Sequence, residues 1–458
     1  MKAAQTRSSS GRSTWQEATT YRSVVVAGMG QRIPRTAVVG VALAAALPRL
    51  VVLALERDAI LEEYVEKSDR FATTLVESGT FGFLPGVPSA YTQPLYAWFL
   101  AGVYWPFGRS WLAVGLAHVL VAVATALLVL ALGRHVASTR IGVIAALVAT
   151  LHPYVVWHDV HVNRELLDGL LLVGIAYLAL VAHDRRSGRL AVATGALVGL
   201  AILGNSRLVL LPVVLAPFVV WRLRPGRRAV AVAVLTVVAA GAVVAPWALR
   251  NRSQVGCLAI TTDSRALWKA NNPATYDVLA RGGWIDDVPE LEGGPPWPEL
   301  AADLTLGGKP TSVDECAQMR LYRDEVLDFW RDQPGEKARL ALQATRMLWS
   351  PFLSVADDDR AQQGLASLAQ RTIEPAFTIL LYAFALWGAF LAPRRLVALV
   401  ALLLAYNTAM AMVFAGTVRY RVPWDFLLAL LAAFALERAW GLLRSRLRRV
   451  DAPASAAS

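Results

Sequence analysis

The stretch Arg57 to Arg70 gathers the carboxylates Asp58, Glu62, Glu63, Glu66 and Asp69. If it is helical, Glu62, Glu66 and Asp69 share a face at i, i+4, i+7 spacing. Carboxylates grouped in this way can take a proton from a hydroxyl or hold a divalent cation. The plain alternative is a solvated charged loop. A second group reads His152-Pro153-Tyr154, then His158-Asp159-Val160-His161-Val162-Asn163-Arg164-Glu165. Its histidines and acids are the donor types of a metal site, but the spacing matches no strong zinc signature. A helix that starts at Glu165 would explain that acid through the macrodipole alone. The third group consists of arginines beside apolar runs: Arg49, Arg207, Arg250, Arg252, Arg419 and Arg421. Guanidinium matches phosphate in a bidentate way, which makes phosphate an apt ligand for them. Snorkelling to lipid headgroups is the simpler use of the same residues.

These residues are carried by a strongly apolar chain. Of 458 residues, 56% are hydrophobic and only 17% charged, which excludes an ordinary soluble domain. Apolar runs recur at 36–56, 110–132, 141–157, 164–182, 190–204, 208–221, 229–247, 373–392, 396–415 and 422–441. Most are close to the ~20 residues that cross a bilayer core. Hydrocarbon offers no partner to free backbone amides, so such spans are helices. The expected fold class is an all-α polytopic membrane protein of about ten transmembrane helices. Interfacial helices are expected in its first external loop, and a small external mixed domain later in the chain.

The net charge of +11 does not signal a nucleic-acid partner, because the basic residues sit where topology signals sit. Short arginine-rich connections occur at 133–140, 184–189, 222–228, 394–395 and 444–449. With ten spans, all of them and the N-terminal tail fall on one side, the cytoplasm by the positive-inside rule. The expected organisation is a disordered basic cytoplasmic tail at 1–34 with no cleavable signal, then a transmembrane module at 35–247 whose first external loop is 57–108. An external domain at 248–371, the C-terminal transmembrane helices at 372–445 and a second cytoplasmic tail at 446–458 follow. The segment Pro94 to Pro106 is apolar and aromatic but too short to span, and reads as an interfacial helix. Cys257 and Cys316 both fall in the expected external domain, where one disulfide is compatible with an oxidising compartment. Gly28-Met29-Gly30 lacks the third glycine and the flanking strand of a dinucleotide loop.

The order of motifs resembles the polytopic, GT-C type glycosyltransferases that use polyprenyl-phosphate sugars, the superfamily of the protein O-mannosyltransferases and aminoarabinose transferases. Ala72, Leu75, Gly79, Phe81, Pro94 and Tyr96 fit that family's first external loop, and Pro153 and Glu165 its second. Pro246-Trp247 leading to Arg250-Asn251, Asn271-Asn272-Pro273 after Trp268, and Arg419-Tyr420-Arg421-Val422-Pro423 also fit. Where the family's loop carries its catalytic Asp–Tyr pattern, this chain has Ser68 among Glu63, Glu66 and Asp69, so the resemblance favours Glu66 as base, with Glu63 and Asp69 next. It implies transfer of a sugar from a polyprenyl-phosphate donor to a hydroxyl of a lipid, glycan or protein acceptor at the external face of the plasma membrane. Arg49, Arg207, Arg250, Arg419 and Arg421 would then hold the donor phosphate. His158, Asp159, Arg164 and Glu165 would line the second loop, and a divalent cation is an open option. The competing expectation is a transporter or flippase of lipid-linked glycans, which would continue its polar residues through to the cytoplasmic side.

Overall fold

A computed structural model describes residues 33–62, 66–296, 298, 313–352 and 369–450. The tails, Glu63 and the acidic run Asp357 to Asp359 lie outside the described residues. Helices dominate, and among the described residues no strand forms beyond one isolated bridge between Leu84 and Val87. In order they are α1 (Arg35–Glu56), α2 (Lys67–Ser78), α3 (Pro94–Phe107), α4 (Trp111–Val136), α5 (Thr139–Thr150), α6 (Glu165–Arg185) and α7 (Gly188–Gly204). Then come α8 (Leu211–Val220), α9 (Arg227–Gln254), α10 (Glu315–Asp332), α11 (Pro334–Trp349), α12 (Glu374–Leu391), α13 (Arg394–Val413) and α14 (Asp425–Val450).

Seven helices are long and apolar enough to cross a membrane: α1, α4, α6, α9, α13, and the stretches Arg371–Leu391 and Val418–Leu447 that contain α12 and α14. The other three apolar runs also form helices, but short ones. α5 has 12 residues, α7 has 17 and α8 has 10. At 1.5 Å per residue α5 and α8 cover only about 15–18 Å of a hydrocarbon core about 30 Å thick. Local chemistry explains the breaks. Pro153 forces His152 out of helical geometry and ends α5. Asn205 ends α7 in extended backbone, and its side chain accepts the amide of Arg207, which starts a single 3-10 turn, Ser206–Leu208.

Lipid tails are as apolar as leucine, so helix pairs in a membrane associate through close packing of small residues. Gly195 and Gly199 form such a pair on α7. A Cβ at Gly195 would lie 2.0 Å from the Thr236 carbonyl oxygen, and one at Gly199 2.5 Å from that of Ala240. Backbone therefore touches backbone where α7 meets α9, and Gly388 on α12 meets Leu431 on α14 in the same way.

The connections sort to two ends of the bundle. At one end Asp184, in the last turn of α6, binds His135 at 2.9 Å and Arg395 at 2.6 Å, tying together three of the arginine-rich turns. At the other end meet 57–62, 66–110, 151–164, 205–210, 255–296, 313–352 and 414–424, through contacts such as Arg164–Gln93, Arg207–Ala415 and Lys67–Asp263. These are the two sets that charge alternation separates. The 3-10 turn of the second end and the N-terminus of α6 thus face the long segments that carry most of the candidate site.

The α7–α9 contact makes a prediction. Gly195→Leu should destabilise the protein by about 1–3 kcal/mol through overpacking, a drop of several degrees in thermal unfolding in detergent. Gly241→Ala, on α9 with nothing within 4 Å of its added Cβ, should melt with the wild type. Equal melting of both variants would show that the two helices do not pack through Gly195.

Candidate functional site

Glu66 is the residue before α2. Its backbone is extended, and its carboxylate does not cap the helix, so the side chain is free to reach elsewhere. It reaches Arg419, whose Nη2 donates to its Oε1. Arg419 belongs to the short helix Val418–Arg421 that leads into α14. Its Nε and Nη2 also donate to the two oxygens of Glu165, at 2.8 and 3.0 Å. Glu165 is the first residue of α6, where the positive end of the helix dipole favours a carboxylate. One guanidinium thus joins two acids from opposite parts of the chain.

Beside this trio lies a cavity of about 620 Å³, lined among others by Glu66, Gln93, Arg164, Arg207, Arg419 and Tyr420. Glu165 stands behind Arg419 and lines two smaller recesses adjoining the cavity. Arg164 donates from Nη1 to Gln93 Oε1 at 3.0 Å, while its Nε is 3.8 Å from Glu165 and makes no hydrogen bond. Arg207 is only 9% exposed. Its Nη2 donates to the Ala415 carbonyl at 2.9 Å, and its guanidinium lies 4.2 Å from the centre of the Tyr420 ring. No carboxylate among the described residues comes within ion-pair distance of it. On the far wall Lys67 pairs with Asp263 at 2.9 Å and covers the Tyr91 ring at 4.6 Å. Burial pushes the Tyr91 hydroxyl well above its ordinary range, and the Asp263 carboxylate adds to it, so the phenol keeps its proton.

The remaining expected site residues have internal partners. Asp69, three residues after Glu66, is buried and points away from the cavity. It accepts the Tyr104 hydroxyl and both its oxygens accept from Arg109 Nε at 3.1 Å. Burial raises the Tyr104 hydroxyl far above its ordinary range, and Asp69 raises it further. Asp69 thus fastens the helix after Glu66 rather than sharing the cavity with it. Arg49 pairs with Asp159 at 2.7 Å and donates to the Ala45 and Thr150 carbonyls. Arg250 clasps the Ser89 and Phe81 carbonyls at 2.8 and 3.1 Å and rests on the Phe81 and Trp247 rings. Arg421, wholly buried, binds Asp425 at 3.1 Å and the Ser350 carbonyl at 2.7 Å. Of the five arginines expected at a phosphate, Arg207 and Arg419 line the main cavity. Arg250 and Arg421 do not, and Arg49 lines the apolar recess beneath it.

The second loop is divided likewise. Arg164 and Glu165 are at the site, Asp159 serves Arg49, and His158 stacks on Tyr154 with ring centres 3.7 Å apart. His152 and His161 approach different acids, Asp425 and Glu56. Among the described residues no three His, Cys, Asp or Glu side chains converge as a metal site would need. Cys257 and Cys316 are disulfide-bonded. Sequence reasoning missed Asp168, one turn after Glu165, which holds Asn205 at 2.8 Å and so sets the turn bearing Arg207. The i, i+3 spacing of Glu165 and Asp168 on one helix was the available signal.

Fold and site together define an all-helical polytopic membrane protein with a charged cavity at one end of its bundle. Residues 88–249 match the family model of dolichyl-phosphate-mannose-protein mannosyltransferase. That stretch supplies Gln93, Arg164, Glu165 and Arg207, whereas Glu66 and Arg419 lie outside it. No curated protein matches the sequence. Among solved structures, the archaeal oligosaccharyltransferase AglB from Archaeoglobus fulgidus, in complex with an inhibitory peptide and a dolichol-phosphate, is similar at 15% identity and a TM-score of 0.48. The match covers 92% of this chain but 52% of that one, so the chain spans about half the length of the archaeal protein. ArnT from Cupriavidus metallidurans bound to undecaprenyl phosphate is similar at 16% identity and a TM-score of 0.37, with 86% of this chain and 77% of that chain covered.

Stability separates the two neighbouring acids. Asp69→Asn, which weakens the hold on Arg109 and Tyr104, should cost about 1–3 kcal/mol. Glu66→Gln leaves Arg419 held by Glu165 and should melt within about 1 kcal/mol of wild type. A reversed order in thermal unfolding would mean that Glu66 is the structural acid and Asp69 the available one.

Proposed function

We propose that the protein is a glycosyltransferase that moves a sugar from a polyprenyl-phosphate donor to an acceptor hydroxyl at the cavity. The observation that carries this reading is Arg207, a buried guanidinium that opens on the cavity with no carboxylate among the described residues in ion-pair range. A buried charge without a counter-ion is costly unless something is meant to meet it. A phosphate in the cavity would meet Arg207, and Arg164 and Arg419 line the same space. The apolar recess under Arg419, walled by Ala126, Val129, Val173, Leu381 and Ala429, suits the first part of a lipid chain. The matched family model and the motif order support the same class of reaction.

In this reading the acceptor oxygen attacks the anomeric carbon of the donor sugar. The bond from that carbon to the phosphate oxygen breaks, and polyprenyl phosphate leaves with the electron pair. Glu66 takes the acceptor proton, and the arginines offset the charge that grows on the leaving phosphate. Direct displacement inverts the anomeric carbon. The cavity end of the bundle would face outward, with the arginine-rich turns and both tails in the cytoplasm of a plasma-membrane protein. The acceptor would be a lipid, glycan or protein hydroxyl. The competing reading is a carrier of lipid-linked glycans; the recess beneath the site has apolar walls but also holds Arg49, His152, Asp159 and Asp425, and the transfer assay separates the two.

The test is transfer in liposomes, with a panel of radiolabelled polyprenyl-phosphate sugars and a membrane extract as acceptor. Label should move to the acceptor, and Glu66→Gln should slow transfer by about 10²–10⁴-fold. Arg207→Ala should raise the donor KM by at least about tenfold, the scale of a lost hydrogen bond to a charged group. Label that crosses the bilayer still attached to its lipid would replace the enzyme with a carrier.

A further inference from the structure

Arg419 does not bind its two acids alike. Glu165 engages the guanidinium as a fork, with Nε at 2.8 Å and Nη2 at 3.0 Å. Glu66 has only Nη2, which it shares with Glu165. Each hydrogen of Nη2 serves one carboxylate, so Glu165 has two bonds to the guanidinium and Glu66 one, and the single contact is the one more easily displaced. Glu66 is also the acid on the open side. It lines the cavity with Arg419, whereas Glu165 stands behind the guanidinium. An anion entering the cavity therefore meets the Arg419–Glu66 contact first and the Glu165 fork last.

The consequence concerns order. While Glu66 is bound to Arg419, its Oε1 is occupied by the guanidinium and the carboxylate is turned towards Arg419 instead of towards an acceptor. The backbone around it is fixed: its carbonyl accepts the Asp69 amide at 2.9 Å, and Asp69 is anchored on Tyr104 and Arg109. Release would free the carboxylate without moving the helix.

We propose that Arg419 is an exchange point: it holds Glu66 in the empty protein, the donor phosphate takes the place of Glu66, and the freed carboxylate then accepts the proton of the acceptor. This rests on the donor reading above. It makes binding compulsory in order, donor before acceptor, and leaves the base silent when no donor is present. Glu165 keeps Arg419 in place through the exchange, so Glu165 is a positioning residue.

Carboxyl reactivity reads this directly. Purified full-length protein is treated with a water-soluble carbodiimide and an amine, and modification of Glu66 and Glu165 is measured by peptide mass spectrometry. The probe is a long-chain polyprenyl monophosphate, with its binding followed separately by intrinsic tryptophan fluorescence. Glu66 modification should rise at least about threefold on saturation, with the midpoint of the binding curve, while Glu165 stays protected. Arg419→Gln should show the raised Glu66 reactivity without any lipid. Binding with unchanged or reduced Glu66 reactivity would overturn the exchange and leave the donor reading intact. Absence of binding would overturn the donor reading, and the exchange with it. Wild-type Glu66 reactivity in a folded Arg419→Gln protein would show that Arg419 does not hold the carboxylate at all.

Discussion

The site depends on a single charged contact between distant parts of the chain. Arg419 is 254 residues from Glu165 and 353 from Glu66, yet it binds both. A guanidinium at the end of a helical bundle pays heavily to leave water, and for Arg419 the two acids offset that cost. The start of α2, the start of α6 and the entry to α14 are therefore held to one point. Every other element at that end can be read as support. Arg421 turns inward to Asp425 and the Ser350 carbonyl and fixes the backbone from which Arg419 projects. Asp168 and Asn205 orient the turn that carries Arg207.

The arginines show how one residue type serves two ends in an apolar protein. Arg49, Arg250 and Arg421 are bound by carbonyls, acids or rings of their own chain, and they join segments that no hydrophobic contact would join uniquely. Helices in lipid gain little from apolar burial, so directional contacts of this kind determine which connections meet. Arg207 and Arg164 differ because their side chains line the cavity. The distinction lies in the partners, and residue type and position along a span do not reveal it.

This explains what the sequence disclosed and what it withheld. The all-helical, polytopic class follows from hydropathy, since bilayer thickness and helix rise fix segment length; of the ten expected spans, seven are helices long and apolar enough to cross. The early end of α5 is less legible, because Pro153 breaks the 141–157 run without lowering its apolar character. At the site, Glu66 and Asp69 look equivalent as letters. They separate only because Tyr104 and Arg109, on and after a neighbouring helix, converge on one of them. Asp168 passed unnoticed for the opposite reason: it sits inside an apolar helix and its partner, Asn205, is 37 residues away.

The cysteines complete the argument about rigidity. Next to Cys316 stands Glu315, buried, which accepts the Ala90 amide at 2.9 Å and the Thr262 hydroxyl at 2.7 Å. Ala90 and Thr262 are themselves joined, amide to carbonyl, at 2.9 Å. Each precedes a residue of the cavity wall, Tyr91 in one case and Asp263 in the other. The bond between Cys257 and Cys316 thus fixes the start of α10 against the end of α9, and Glu315 carries that constraint to both walls. A cavity built from connections rather than from helices has little packing of its own to keep its shape. Hydrogen bonds placed one residue away from its lining, backed by the disulfide, supply what packing does inside the bundle.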